Sequence, residues 1–179
     1  MNKVIYTLCG PAANGKSTYT SDLIKEKLKE NISDDLENIL QNITVLNADT
    51  IRKELYGDPT IQGDGMIVFN KLFDEYVSCL KDDYTELIII DNTSLTYKIR
   101  KRYFRLANTI CPMFEHTFKY NLVFFNVPIE QALIWNASRD RHVPEDVIID
   151  QYKRYQHATI QECASEINSI ELEYIKNGN

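Results

Sequence analysis

Apolar positions along this chain follow two alternating rhythms. Val4–Leu8 is a short run of β-forming residues, and Leu87–Ile90 is apolar at every position. The second pattern suits a strand buried on both faces of a parallel sheet. Thr44–Leu46 and Leu122–Asn126 read as two further strands. Between the strands the period becomes helical. From Lys16 to Leu28, Tyr19, Leu23, Ile24 and Leu28 share a face. From Met66 to Leu80, the stripe is Val68, Phe69, Leu72, Phe73, Tyr76, Val77 and Leu80. Tyr97–Ile110 predicts a helix with Ile99, Tyr103, Leu106 and Ile110 inward and Lys98, Lys101, Arg102 and Arg105 outward. Ile129–Arg139 and Pro144–Gln156 predict two helices joined by a charged turn. Glu30–Asn42 is polar and acidic, with room for a short helix through Leu36, Ile39 and Leu40. The tail after Ala158 supports two readings. Ile160, Cys163, Ile167 and Ile170 suit a helix; Ile170, Leu172 and Tyr174 alternate as in a strand.

Strands alternating with helices require crossover connections and so a mainly parallel sheet with helices on both faces. The expected class is α/β, three layers αβα, with four or five strands. In such sheets ligands bind beyond the C-terminal strand ends. Three ends here carry polar chemistry: Gly10 onward, Asn47-Ala48-Asp49 and Asp91-Asn92-Thr93. Composition leaves that picture intact. Apolar residues at 44% and charged residues at 26% of 179 exclude a disordered chain or a disulfide scaffold. No apolar run approaches the ~20 residues of a membrane helix, and no signal-peptide pattern precedes Val4. A soluble, intracellular and cytoplasmic protein is expected. The net charge of -6 argues against a broadly basic surface, though not against a local basic groove. Cys9, Cys79, Cys111 and Cys163 are widely spaced and predict reduced thiols rather than a zinc site.

Gly10-Pro11-Ala12-Ala13-Asn14-Gly15-Lys16-Ser17 matches G-x-x-x-x-G-K-[ST], with a strand before it and a helix after. Glycines let such a loop turn its N–H groups onto an anion, and the helix N-terminus adds a favourable dipole. Lys16 supplies a charge for the β- and γ-phosphates of ATP, and Ser17 a hydroxyl for Mg²⁺. Asp91 stands where a Walker B carboxylate would hold that metal. Asp49, with Arg52 three residues on, could accept a hydroxyl proton; the competing reading is a cap on a helix starting at Ile51. Arg139 and Arg141 suit a lid over a transferring phosphoryl, or else a solvated turn. The face Lys98, Lys101, Arg102, Arg105 could track a phosphate backbone, or simply be solvated. A GTPase switch lacks support: Asn70-Lys71-Leu72-Phe73 lacks the N-K-x-D aspartate, and Asp91 is not followed by x-x-Gly. A kinase fits the length best; a switch or assembly module without acceptor chemistry is a distant alternative.

Taken in order, the P-loop Gly10–Thr18, Asn47-x-Asp49-x-x-Arg52, Ile90-Asp91-Asn92-Thr93, Val127-Pro128, Arg139 and Val143-Pro144-Glu145-Asp146-Val147 form a recognisable string. It resembles the 5′-kinase domain of phage-type polynucleotide kinases and related small P-loop, AAA-type kinases. The resemblance runs from about Lys3 to Tyr155. It implies one P-loop kinase domain over 1–179, with a lid at about 129–157 and a further element at 158–179. It implies ATP and Mg²⁺ as cofactors. ATP would be held by Gly10, Ala12, Ala13, Asn14, Gly15, Lys16, Ser17, Thr18, Arg139 and Arg141, and the metal by Ser17 and Asp91. It implies Lys16, Asp49 and Arg139 as catalytic residues, with Asp49 the general base. The acceptor would lie against Asp49, Arg52, Asp91, Asn92 and Thr93, with Arg52 on its phosphate. The expected acceptor is the 5′-hydroxyl of DNA or RNA, the alternative a small molecule, nucleotide or modified base. No membrane partner is expected, and a homo-oligomer is compatible with the sequence. Three features depart from the family: the P-loop interior Pro-Ala-Ala-Asn, the insert Glu30–Asn42, and Trp135 at a lid-helix position.

Overall fold

The wholly apolar run Leu87–Ile90 sits inside a five-stranded parallel sheet, every residue of it buried. The structure is a computed structural model that describes residues 1–30, 40, 42–139, 142–159, 161–162 and 164–171. In chain order the described elements are β1 (Asn2–Cys9), α1 (Lys16–Glu30), β2 (Ile43–Leu46), α2 (Ala48–Tyr56), α3 (Gly65–Lys81), β3 (Leu87–Ile90), α4 (Tyr97–Met113), β4 (Thr117–Asn126), α5 (Ile129–Ala137), α6 (Glu145–Arg154) and β5 (Glu166–Glu171). The strand order is β2-β3-β1-β4-β5. Leu87 of β3 faces Val4 on one side and Ile43 on the other, and Thr7 of β1 faces Leu122 of β4. The chain leaves β1 in one direction to reach β2, and later crosses β1 the other way from β3 to β4. That reversal opens a crevice at the C-terminal ends of β1 and β3.

Side chains alternate across the sheet and define two core layers. Ile5, Ile88, Ile90, Leu122 and Phe124 pack with Leu72 and Tyr76 of α3 and Tyr103 and Ala107 of α4. Leu8, Ile89, Val123 and Phe125 face the other way, onto Leu23 of α1. A small third cluster joins Ala13, Val127 and Ala132 to Trp135 and Tyr152. At the far end of β1, the buried Lys3 ammonium donates to the carbonyls of Asp82 (2.6 Å) and Thr85 (2.8 Å). This contact fixes the strand's start to the turn before β3.

Several boundaries differ from the periodicity, each for a tertiary reason. α2 begins at Ala48 rather than Ile51, because Asn47 caps it: its Oδ1 accepts the Asp49 N–H at 2.7 Å. Asp49 is therefore in the first turn and is not the cap. β4 begins at Thr117, five residues early, because Lys119 and Asn121 interrupt the apolar run without breaking the pairing with β1. In α4 the buried residues are Arg100, Tyr103, Ala107 and Cys111, so the inner face is rotated from the Ile99–Ile110 stripe. α5 stops at Ala137, which leaves Arg139 in the turn. The tail forms a strand, not a helix, from Glu166 to Glu171. Ile160, Cys163, Leu172 and Tyr174 lie outside the described residues, as does most of the Glu30–Asn42 insert. Cys9, Cys79 and Cys111 are free thiols. No helix among the described residues is long and apolar enough to cross a membrane.

Candidate active site

β1 delivers its chain into a tight loop at the crevice. Gly10 closes the strand: its N–H donates to Thr93 O at 2.9 Å, and a Cβ there would stand 3.1 Å from Phe125 Cβ. Larger residues would push β1 from β4. Ala13 (φ 61°) and Gly15 (φ 81°) adopt left-handed conformations, which turn neighbouring N–H groups to one side, as anion-binding nests do. Lys16 opens α1 and is buried. Its Nζ donates to Gly10 O at 2.9 Å and to Pro11 O. Burial lowers its pKa to about 8, helped by Arg139 and opposed by Asp91 and Cys9. Thus the ammonium is held where positive charge is costly, and a bound anion would relieve that cost.

A cleft of about 400 Å³ lies above these residues, within the usual size for small ligands. It brings together Ala12, Ala13, Asn14, Gly15, Lys16 and Ser17 with Asp49, Arg52, Asp91, Asn92, Thr93 and Arg139. These come from four distant parts of the chain. Gly10 and Thr18 do not line the cleft, and Arg141 lies outside the described residues. The Asn14 side chain turns into the protein. Its Oδ1 accepts from Tyr152 OH at 2.9 Å, and the same hydroxyl lies 2.8 Å from Val127 O.

Asp49 and Arg52 line the cleft from α2. Arg52 Nη1 donates to Asp49 Oδ1 at 2.7 Å. The Arg52 Nε is buried with no hydrogen-bond partner among the described residues. Such an orphaned cationic N–H is costly and suits an anionic acceptor group. Asp91 ends β3 and is buried in the cleft, its N–H donating to Leu46 O at 3.0 Å. Arg139 is held by a clamp at the neck of its turn: Asn136 Nδ2 donates to Val143 O (2.8 Å), and Val143 N–H to Asn136 Oδ1 (2.9 Å).

Sequence reasoning missed Asn136, Gln62, Phe69, Gln151 and Arg154, of which all but Asn136 line the cleft. Gln151 Oε1 accepts the Ala12 N–H at 2.6 Å. Its i, i+4 spacing with Tyr155 is the signal that could have exposed it. On α4, Lys98, Arg102 and Arg105 are exposed. Arg102 lies over the Phe73 ring at 3.6 Å and Lys101 over Tyr97 at 5.1 Å. Half of the predicted basic face is therefore engaged with aromatic rings.

A family model described as AAA domain matches residues 5–158. No curated protein matches the sequence. Among solved structures the chain is similar to a fungal RNA kinase, with 16% identity over 96% of this chain and 75% of that one, at a TM-score of 0.63. It is similar to Kti12 of Chaetomium thermophilum, solved with ADP-AlF3, with 12% identity over 97% and 94% and a TM-score of 0.64. It is also similar to a gluconokinase from Sinorhizobium meliloti 1021, with 11% identity over 99% and 89% and a TM-score of 0.52. The likeness at such low identity is one of fold, a three-layer α/β arrangement of the P-loop type.

Proposed function

The chain belongs to the AAA domain family, and from that premise we propose that it is an ATP-dependent kinase whose preferred acceptor is the 5′-hydroxyl of DNA or RNA. The observation that carries this reading is the pair Asp49 and Arg52 in one cleft with Lys16 and Arg139. Lys16 and the loop N–H groups hold the β- and γ-phosphates. Ser17 and Asp91 offer the hard oxygen donors that Mg²⁺ takes, and the cation would neutralise charge on the phosphates. Among the described residues no cluster of three or more His, Cys, Asp or Glu competes for it. Asp49 accepts the acceptor's hydroxyl proton as its oxygen bonds to the γ-phosphorus; the bond from that phosphorus to the bridging oxygen breaks, and ADP leaves. Arg52 orients Asp49 and offers its guanidinium to a phosphate adjoining the reacting sugar. Arg139 neutralises charge on the transferring group.

The breadth of the fold, which also serves a gluconokinase, keeps a small-molecule acceptor as the second reading. Labelled-phosphate transfer from ATP to 5′-hydroxyl oligonucleotides, nucleosides, nucleotides and sugar acids separates the two. Labelled oligonucleotide supports the proposal. Failure of both DNA and RNA, with efficient labelling of a metabolite, replaces it with the second reading.

A further inference from the structure

Two residues of α6, Gln151 and Tyr152, and its C-cap Tyr155 reach back to the Gly10–Ser17 loop. Tyr155 OH donates to Cys9 O at its start (3.0 Å). Gln151 Oε1 accepts from Ala12 N–H. Tyr152 OH donates to Asn14 Oδ1 on its far side. The tyrosines bind carbonyl oxygens and are satisfied whatever fills the cleft. Gln151 differs, because it consumes an N–H of the loop and does so inside the cleft that Lys16 and Arg139 share. Its carbonyl oxygen stands where an anionic oxygen would be bound, and the same carboxamide carries an NH₂ that can donate to that anion.

We propose that Gln151 is a binding residue that reads the terminal phosphate of the nucleotide. A terminal phosphate oxygen takes the Ala12 N–H from Gln151, and the released carboxamide turns to donate its NH₂ to the same phosphate. The exchange couples α6, and with it the turn carrying Arg139, to a triphosphate rather than a diphosphate. This rests on the ATP reading of the site.

Trp135 is the chain's single tryptophan and packs in the same small cluster as Tyr152 and Ala13, so its fluorescence can report nucleotide binding. ATP and ADP are titrated into the wild-type protein and into Gln151→Met and Gln151→Glu, with turnover measured in parallel. Met keeps length without hydrogen bonding; Glu keeps the acceptor but repels phosphate and cannot donate. Losing a hydrogen bond to a charged phosphate should weaken ATP binding on the order of tenfold in Gln151→Met, and more in Gln151→Glu, with ADP affinity unchanged. The kcat should fall in both. A purely structural contact would instead move ATP and ADP affinities together. Parallel shifts, or an unchanged ratio of the two affinities, overturn the inference while leaving the proposed function standing. Wild-type protein that binds neither nucleotide overturns both.

Discussion

Lys16 shows how a single residue can be both predicted and surprising. Its place in the motif predicts a phosphate ligand, but its burial and its nearness to the charge of Arg139 depend on the fold. With its pKa lowered from 10.5 to about 8, a fraction of the protein carries neutral Lys16 near pH 8. Bound phosphates favour the ammonium, so ATP binding should take up roughly half a proton at pH 8 and almost none near pH 6.5. Calorimetry in buffers of different ionisation heat measures this; equal heats in all buffers at pH 8 would contradict it. The stability effect has a definite sign. The folded-state pKa lies below the unfolded one, so the unfolded chain binds more protons between about 8 and 10.5. This group therefore disfavours folding when charged, and that penalty is relieved as pH rises through that window. Asp49 and Asn47 form a second residue-scale test, since Asn47 is the cap and the base chemistry is proposed for Asp49. Asp49→Asn should lower kcat by about 10²–10⁴ with ATP affinity and melting temperature preserved. Asn47→Ala should do the reverse, costing about 0.5–2 kcal/mol of stability with a smaller loss of rate.

At the scale of elements, the sequence was most legible where one period ran uninterrupted. β3 matched its apolar run residue for residue, and α3 spans Gly65–Lys81 against a predicted Met66–Leu80. Legibility failed where tertiary contacts reverse a residue's usual preference. Arg100 is polar in the pattern but buried in α4, because Glu162, the Ser94 and Leu95 carbonyls and the Phe124 ring meet its guanidinium. Lys119 and Asn121 likewise hid the first half of β4. The site divides the same way. Local motifs pointed to Lys16, Ser17, Asp49 and Arg139, whereas Gln151 enters the cleft only because α6 folds back over the loop. The turn between α5 and α6 carries the element-scale prediction. Arg139→Ala should lower kcat by about 10²–10³, with Lys a poor substitute for a planar fork. Asn136→Ala should loosen the same turn and lower kcat less. A larger loss from Asn136 than from Arg139 would place the catalytic cation elsewhere in the turn.

Across the whole molecule, the segment after α6 ties the helix that covers the Gly10–Ser17 loop to the cleft wall that follows Asp91. Gln156 N–H donates to Leu95 O at 2.9 Å, and Gln156 Oε1 accepts the Tyr97 N–H at 2.8 Å. Tyr97 OH donates to Gln161 O, and Glu162 then meets Arg100. The ion pair is almost wholly withdrawn from solvent, with side-chain exposures of 0% and 1%. From there Ser165 N–H reaches Tyr120 O at 2.7 Å, and β5 adds to the sheet beside β4. Removing one partner of a buried pair leaves the other charge uncompensated, so Glu162→Ala should cost about 3–5 kcal/mol. The same Arg100 guanidinium holds the carbonyls of Ser94 and Leu95 at 3.3 and 3.2 Å, immediately after Asn92-Thr93 in the cleft wall. Freed from Glu162, it should seek another anion and disturb that wall. Glu162→Ala should thus raise the acceptor KM while ATP affinity, set on the loop side, changes little. Replacing both partners, as Arg100→Met with Glu162→Leu, removes the charges together and should recover much of the melting temperature. If the single variant melts normally, the strap contributes nothing. If the double variant melts no higher than the single, packing and not charge holds the segment in place.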